Sequence, residues 1–179
     1  MKFASTLPLT SIATAIALSL SAPGSAQTRT LGSDASACTS GGPAIRVNVL
    51  GLKDRTGDLR LELYPATEAD FLKDDRDLIA EGKVFRRVVV DTPASGSVAL
   101  CIRVPRPGRY ALLFTHNRDG RNKFNFWSDG AGLRSNQKLG RSKPTLAQAI
   151  IDVPAGVETT DIRAQYLRGF SGFSPIKAN

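Results

Sequence analysis

In several segments of this chain, large apolar residues occupy every second position, and this alternation limits the possible folds more than any other feature. It is clearest from Ile45 to Val49, Leu59 to Leu63, Val98 to Val104 and Tyr110 to Phe114. Successive side chains of a β-strand point to opposite faces, so each segment is predicted to be a strand with one buried face. Further strands are predicted at Val84 to Asp91, Ala149 to Val153 and Val157 to Tyr166.

These segments predict about seven strands separated by turns, without a long amphipathic helix. Phe71, Leu72, Leu78 and Ile79 fit a short helical turn or two, which we expect at one edge of the sheet. The pattern is typical of an all-β fold, an antiparallel β-sandwich with one long irregular loop.

Two turns carry more specific predictions. The first two strands flank the turn from Lys53 to Gly57, and we expect them to pair as a β-hairpin. Tyr110 follows closely on the Pro107-Gly108 corner. In β-sandwiches a tyrosine at this place donates its hydroxyl proton back to the corner backbone, so Tyr110 is predicted to be structural.

The N-terminus has the features of a secretory signal peptide. Lys2 precedes an apolar run from Leu7 to Leu20, and the small residues Gly24 and Ala26 follow. The run is shorter than the roughly 20 apolar residues that span a membrane, so no transmembrane anchor is expected. The predicted organisation is a signal peptide at 1–26, an N-terminal arm at 27–43, the sandwich at 44–168 and a flexible tail at 169–179.

Cys38 and Cys101 are the two cysteines of the chain. An exported protein meets an oxidising compartment, so the two are predicted to form a disulfide bond. Cys101 falls on the strand face opposite the aliphatic residues, which predicts that the bond lies under the N-terminal arm and outside the main core.

The formal net charge of +8 attracts the protein to anionic surfaces, and the alternative interpretation is that the charge only keeps it soluble. For a periplasmic or secreted protein, such a partner is an anionic envelope polymer, a glycan or an envelope protein. The chain has no nucleic-acid-binding motif. The acid-rich segment from Pro65 to Gly82 also contains Lys73 and Arg76, which favours a solvated crossover over a cation site.

The loop from Asn117 to Lys143 follows directly on a strand end, where sandwiches display functional groups. It combines aromatic residues with many cations, and this combination suits sugar rings and anionic polymers. The predicted binding residues are His116, Arg121, Phe124, Phe126, Trp127 and Asp129. In the alternative interpretation, the aromatic side chains close the open end of the sandwich and the cations are solvated.

A calcium loop is a second interpretation of this segment. Asn117, Asp119 and Asn122 offer oxygen ligands at roughly alternate positions. Arg121, however, places a cation among them, and Asp119 is the one carboxylate present. No metal or cofactor is therefore predicted.

A hydrolytic site is the third interpretation. His116 with Asp119 or Asp129 would supply general acid and base chemistry, and Ser128 is a conceivable nucleophile. The chain has no nucleophile elbow and no pair of metal-binding residues to support it. A non-enzymatic binding or structural module of the cell envelope is therefore the first hypothesis, and hydrolysis is the alternative.

Four segments of the chain carry a recognisable set of motifs: Val47 to Leu52, Leu59 to Tyr64, Pro107 to His116 and Ser128 to Gly132. Together they resemble the DUF2141 family of exported bacterial proteins, and the resemblance runs from about Ala44 to Tyr166. It implies a prealbumin-like or immunoglobulin-like sandwich. The family loop reads close to HDxNxNGKxD, whereas Asn117 replaces the first acid here and Arg121-Asn122 stands where Asn-Gly is common. This departure argues against a cation role, and the family supplies no catalytic residue.

Overall fold

The computed structural model describes Met1 and residues 29–176. Apart from Met1, the predicted signal peptide lies outside the described residues. The strands within them are β1 (Thr30–Leu31), β2 (Ala44–Leu50), β3 (Asp58–Pro65), β4 (Arg86–Asp91), β5 (Val98–Arg103), β6 (Gly108–Asn117), β7 (Gly130–Leu133), β8 (Ile150–Val153), β9 (Val157–Arg163), β10 (Gln165–Leu167) and β11 (Phe173–Pro175). The α-helices are α1 (Asp75–Ala80) and α2 (Leu146–Ala149), and single 3-10 turns occur at Ala35–Cys38 and Gly169–Ser171.

The strands form two sheets. The smaller sheet has the order β1-β5-β2-β9, and the larger has the order β11-β10-β7-β6-β3-β4 with β8 also paired to β6. Pairing is antiparallel except between β1 and β5 and between β2 and β9. The predicted all-β, mainly antiparallel fold is confirmed, and several short strands raise the count above the expected number.

The main core lies between the two sheets. Alternate residues of both sheets point into it, among them Ile45 and Val47 of β2, Leu61 of β3, Phe114 of β6 and Ile162 of β9, all fully buried. Burying a large aliphatic or aromatic side chain contributes roughly 1.5–3 kcal/mol, so each of these alternate residues stabilises the sandwich.

A second apolar layer covers the outer face of the larger sheet. Tyr64 of β3 and Leu113 of β6 point outward and pack in one cluster with Leu78 of α1 and Leu146 of α2. The predicted helical segment therefore covers a sheet face and not an edge. Ile79, one of the residues that predicted it, is 62% exposed.

The predicted hairpin, which would join β2 to β3, is wrong. β2 pairs with β5 and β9 in the smaller sheet, whereas β3 pairs with β4 and β6 in the larger one. Both strands direct their aliphatic residues into the same core from opposite sides. Alternation determines which face of a strand is buried, but it does not determine the partner strand.

The long loop is also less irregular than predicted, because β7 pairs with both β6 and β10 inside the larger sheet. Two glycines allow this close packing. A Cβ atom on Gly130 would lie 2.4 Å from the ring of Tyr166, and one on Gly132 would lie 2.6 Å from Ile162. Glycine in a strand often marks such a close approach, but in sequence it resembles a loop.

The terminal segments are attached to the sandwich. Cys38 and Cys101 form the predicted disulfide, and Cys101 packs with Ala37 and Ala44 in a small cluster apart from the main core. At the other end, β11 lies beyond residue 168, the predicted end of the sandwich, and pairs with β10. Tyr110 donates its predicted hydrogen bond to the Arg106 carbonyl at 2.8 Å.

Candidate functional site

The loop that follows β6 is organised around the buried carboxylate of Asp129. Its Oδ1 accepts hydrogen bonds from the Arg118 backbone N–H and the Ser128 hydroxyl, both at 2.9 Å. Its Oδ2 accepts from the Asn125 backbone N–H at 2.8 Å. A carboxylate that accepts three bonds at the start of β7 fixes the path of the loop between residues 118 and 129.

The guanidinium group of Arg118 ties this loop to the turn between β2 and β3. It forms an ion pair with Asp54, with Arg118 Nε 2.9 Å from Asp54 Oδ2, and Nη1 donates to the Ser128 carbonyl at 2.8 Å. The hydrogen bonds from Arg118 hold the pKa of the Asp54 carboxyl below its ordinary value. Arg118 is therefore a structural residue of the loop.

His116 is fully buried, and both of its ring nitrogens have partners. Nε2 lies 2.8 Å from the Thr56 carbonyl, which only accepts, so Nε2 carries the proton and donates it. Nδ1 then accepts from the Tyr166 hydroxyl at 2.6 Å, and Tyr166 Oη accepts from the Lys53 N–H at 3.0 Å. With a neutral imidazole every polar atom in this chain of bonds has a suitable partner, and the chain joins β6, β10 and the β2–β3 turn.

The electrostatics of the two rings agree with this arrangement. Burial lowers the pKa of His116 below its ordinary value, so the neutral form is favoured. Burial also raises the pKa of Tyr166 to about 12, which keeps the hydroxyl protonated as a donor. Among the described residues, the carboxylate nearest to His116 in an ion-pair geometry is Asp54, whose Oδ1 is 4.0 Å from Nε2.

The structure does not join His116 to either carboxylate of the hydrolytic hypothesis. Asp129 is occupied by the loop backbone, and Asp119 accepts from the Arg121 N–H at 3.1 Å and from Asn125 Nδ2 at 2.7 Å. Since Thr56 and Tyr166 already occupy the ring of His116, no observation favours the hydrolytic alternative.

The aromatic residues of the loop contact the C-terminal segment. Phe126 packs against Phe173 of β11 with ring centroids 5.0 Å apart, and Phe124 lies 5.9 Å from the same ring. Phe173 is buried, whereas Phe124 and Phe126 are each about half exposed. One side of these aromatic side chains therefore packs on the protein and the other side faces solvent.

Beside them lies an exposed surface that we call the aromatic patch, consisting of Phe126, Trp127, Phe170 and Arg141. These residues line one shallow depression. Trp127 is 82% exposed and Phe170 is 98% exposed. The Arg141 guanidinium lies 5.9 Å from the Phe170 ring centroid and donates to the Gly169 carbonyl.

The predicted binding residues thus separate into three groups. Phe126 and Trp127 belong to the aromatic patch, and Phe124 borders it. His116 and Asp129 are buried structural residues. Arg121 is exposed, lies 3.6 Å from Asp119 and forms no cation–π pair with an aromatic ring of the described residues.

Sequence reasoning missed Phe170 as a member of the patch, and it counted Arg141 only as one of the many cations of the loop. Phe170 lies in the segment predicted to be a flexible tail. A signal was nevertheless available, because Phe170 and Phe173 bring two large aromatic residues into a short segment otherwise made of Gly and Ser.

Within residues 29–176, no group of three or more His, Cys, Asp or Glu side chains is placed to hold a metal ion. The helices in the same range are all too short or too polar to cross a membrane.

Comparison with known proteins gives one match. No curated protein and no solved structure matches the chain significantly. The model of a family described as an uncharacterized protein conserved in bacteria (DUF2141) matches residues 47–161, which include the second half of β2, all of β3 to β8 and most of β9. The chain therefore belongs to the DUF2141 family.

Proposed function

We propose that this protein is a non-enzymatic binding module of the bacterial cell envelope and that its aromatic patch binds an acidic polysaccharide. The observation that carries the proposal is the exposure of Trp127 and Phe170 beside the half-exposed Phe126. Monomeric proteins rarely expose contiguous aromatic side chains unless the surface meets a partner.

The chemistry of the patch suits a sugar polymer. The flat rings of Trp127 and Phe170 provide apolar faces on which the C–H faces of pyranose rings can stack. Arg141 lies beside Phe170 and offers planar N–H donors that match a sugar carboxylate. An aromatic face with an adjacent guanidinium therefore favours a sugar that also carries an acidic group.

The charge of the rest of the chain supports an anionic partner. The chain has 24 Lys and Arg residues against 16 Asp and Glu residues. In the part of the chain that follows β7, Lys138, Lys143 and Arg168 are exposed in addition to Arg141. The positive electrostatic potential of these residues accelerates the encounter with a polyanion, and binding should weaken as salt is added.

The proposed location is periplasmic or extracellular. It is supported by the signal-peptide features at residues 1–26 and by the disulfide between Cys38 and Cys101. Disulfides persist in oxidising compartments, and acidic polysaccharides of the envelope occur there.

The experiment measures binding of polygalacturonate, a linear acidic polysaccharide, by isothermal titration calorimetry. Neutral dextran is the control ligand. The variants are Trp127→Ala and Phe170→Ala, and the matched control is Ile79→Ala, which removes an exposed apolar side chain from α1. We expect each patch variant to weaken binding about 5- to 30-fold, because loss of one stacked ring costs about 1–2 kcal/mol.

Three outcomes would contradict the proposal. Equal binding of dextran would exclude recognition of the acid. Equal loss in the Ile79→Ala variant would exclude the aromatic patch as the site. Absence of binding to polygalacturonate and to a panel of other acidic polysaccharides would exclude this ligand class.

A further inference from the structure

A cavity of ≈ 310 Å³ lies on the outer face of the larger sheet, outside the aromatic patch. Its floor is formed by outward-pointing side chains of β3 and β6, and its walls include Leu72 from the crossover and Phe124 from the loop. This volume is near the lower end of the range for small-molecule sites, roughly 300–1,000 Å³. The lining combines apolar side chains with a few buried polar groups, as such sites do.

Asn117 is a lining residue of this cavity with a buried, unpaired hydrogen-bond acceptor. Its side chain is 3% exposed, and its Nδ2 donates to Asp58 Oδ2 at 2.6 Å. The reverse orientation of the amide would place its oxygen against a carboxylate, so the bond to Asp58 fixes the orientation. Asn117 Oδ1 then has no hydrogen-bond partner among the described residues.

A buried acceptor without a partner costs free energy, so such groups in native proteins usually have an explanation. Thr115 and Leu113 precede Asn117 at alternate positions of β6 and line the same cavity. Asn117 therefore belongs to the cavity-facing side of the strand. A ligand that donates an N–H or O–H proton would satisfy it.

Two carboxylates line the cavity as well, those of Glu62 and Asp129. Glu62 accepts from Arg87 Nε at 2.5 Å and from the Tyr64 hydroxyl at 2.8 Å. The donors to Asp129 are the neutral groups described above. The one cation of the lining is Arg60, which is paired with Asp58 at 2.6 Å.

The unpaired acceptor Asn117 Oδ1 therefore favours a ligand that donates a proton, and Asp129, whose own hydrogen-bond donors are neutral, favours one that is positively charged. Leu72, Leu113 and Phe124 provide contact for an apolar body. We propose that the cavity binds a small primary amine, whose ammonium group donates to Asn117 Oδ1 while its hydrocarbon part packs against Leu113 and Phe124. The volume limits the ligand to about one ring with a short side chain.

The proposal is tested by titrating ¹⁵N-labelled protein with benzylamine and following the side-chain NH₂ resonances of Asn117 by NMR. Anisole is the matched probe, because it has the same ring without a donor. We expect saturable shifts with benzylamine and at least tenfold weaker binding of anisole. Asn117→Ala should weaken benzylamine binding at least tenfold, whereas Trp127→Ala should leave it unchanged.

A second variant protects the test against misfolding. Thr115→Leu adds volume to the cavity floor and leaves Asn117 intact, so it should abolish benzylamine binding in a protein whose circular dichroism and thermal midpoint show that it is folded. If Asn117→Ala fails to fold, Thr115→Leu decides the question.

Other results would overturn the proposal. Equal affinity for benzylamine and anisole would mean that the cavity recognises only apolar shape. Absence of saturation with benzylamine and with other small primary amines would mean that Asn117 binds water only. Binding that persists in both cavity variants would place the amine elsewhere. The polysaccharide assay with Trp127→Ala is independent of all three results, so either proposal can fail alone.

Discussion

The base of the loop after β6 and the aromatic patch are close in sequence but differ in their physical character. At the base, His116 and Asp129 are buried and every polar atom of their side chains has a protein partner. In the patch, Trp127 and Phe170 are exposed, and neither side chain forms a hydrogen bond with the described residues. His116 and Asp129, whose residue types suggest catalysis, therefore have structural roles, whereas no structural role explains the exposed Trp127 and Phe170.

This difference follows from the cost of burying polar groups. A histidine and an aspartate can be buried only when their hydrogen bonds are satisfied, and those bonds then determine the path of the chain. An exposed tryptophan carries no such requirement and contributes little to folding. The comparison therefore predicts that substitutions at the base reduce stability, whereas substitutions in the patch reduce binding.

Asp129→Ala should have the largest effect on stability. It leaves the N–H groups of Arg118 and Asn125 and the hydroxyl of Ser128 without their acceptor, and we expect a loss of about 3 kcal/mol in the free energy of unfolding. Chemical denaturation measures it. Asp119→Ala is the matched control from the same loop, because the Asp119 side chain is 21% exposed and accepts from one backbone N–H, so its loss should cost less. Equal losses in the two variants would remove the distinction between a structural base and the rest of the loop.

The second prediction concerns pH and the single histidine. The pKa of native His116 is lowered, so the unfolded chain binds a proton near pH 6.5 while the native protein resists it. The contribution of His116 is therefore fully present well above pH 6.5 and is lost as the pH falls toward the native pKa. Between pH 7 and 5.5 the free energy of unfolding should fall, by no more than about 1 kcal/mol, since the unfolded value near 6.5 sets the upper limit.

Denaturation curves at several pH values test this effect. His116 is the only histidine of the chain, so a His116→Gln variant should lose most of the pH dependence in this range. A native protein with a flat stability profile, or a variant that keeps the full slope, would show that His116 is not held neutral by its surroundings.

The third prediction concerns the ion pair between Arg118 and Asp54. Both side chains are partly exposed, so solvent screens the pair and the coupling should be only about 0.7 kcal/mol. A double-mutant cycle with Arg118→Ala and Asp54→Ala measures it. Raising the salt concentration should reduce the coupling. A coupling near zero would mean that the hydrogen bonds of Asp129 alone fix the loop.

The sequence predicted the faces of the strands better than their partners. Alternation correctly identified Leu61 and Phe114 as core residues because burial has the period of the strand. The predicted hairpin of β2 and β3 was wrong because these strands bury the same faces whether they pair with each other or lie in separate sheets, as they do. The partners of His116 could not be predicted, since Tyr166 lies 50 residues away and the bond depends on the placement of β10 beside β7.

The candidate site shows the same limit. Trp127 and Phe126 were predicted as binding residues from composition alone, but Phe170 joins them only because β11 pairs with β10 and returns the chain to the loop. Asn117 was considered as a calcium ligand, yet its amide is fixed by Asp58 on the neighbouring strand. Residue types identified the loop as a candidate site, whereas the pairing of distant strands determined which of its side chains are exposed and unpaired.

The smallest effect on stability is expected for Trp127→Ala. Because the side chain is 82% exposed, its removal should change the free energy of unfolding by less than about 0.5 kcal/mol. Ile79→Ala removes another exposed apolar side chain and should be equally mild, so thermal denaturation should not separate the two variants. Binding of polygalacturonate should separate them, because only Trp127 can stack on a sugar. If Trp127→Ala instead destabilised the protein by several kcal/mol, the tryptophan would be a packing residue, and the aromatic patch would no longer require a ligand to explain it.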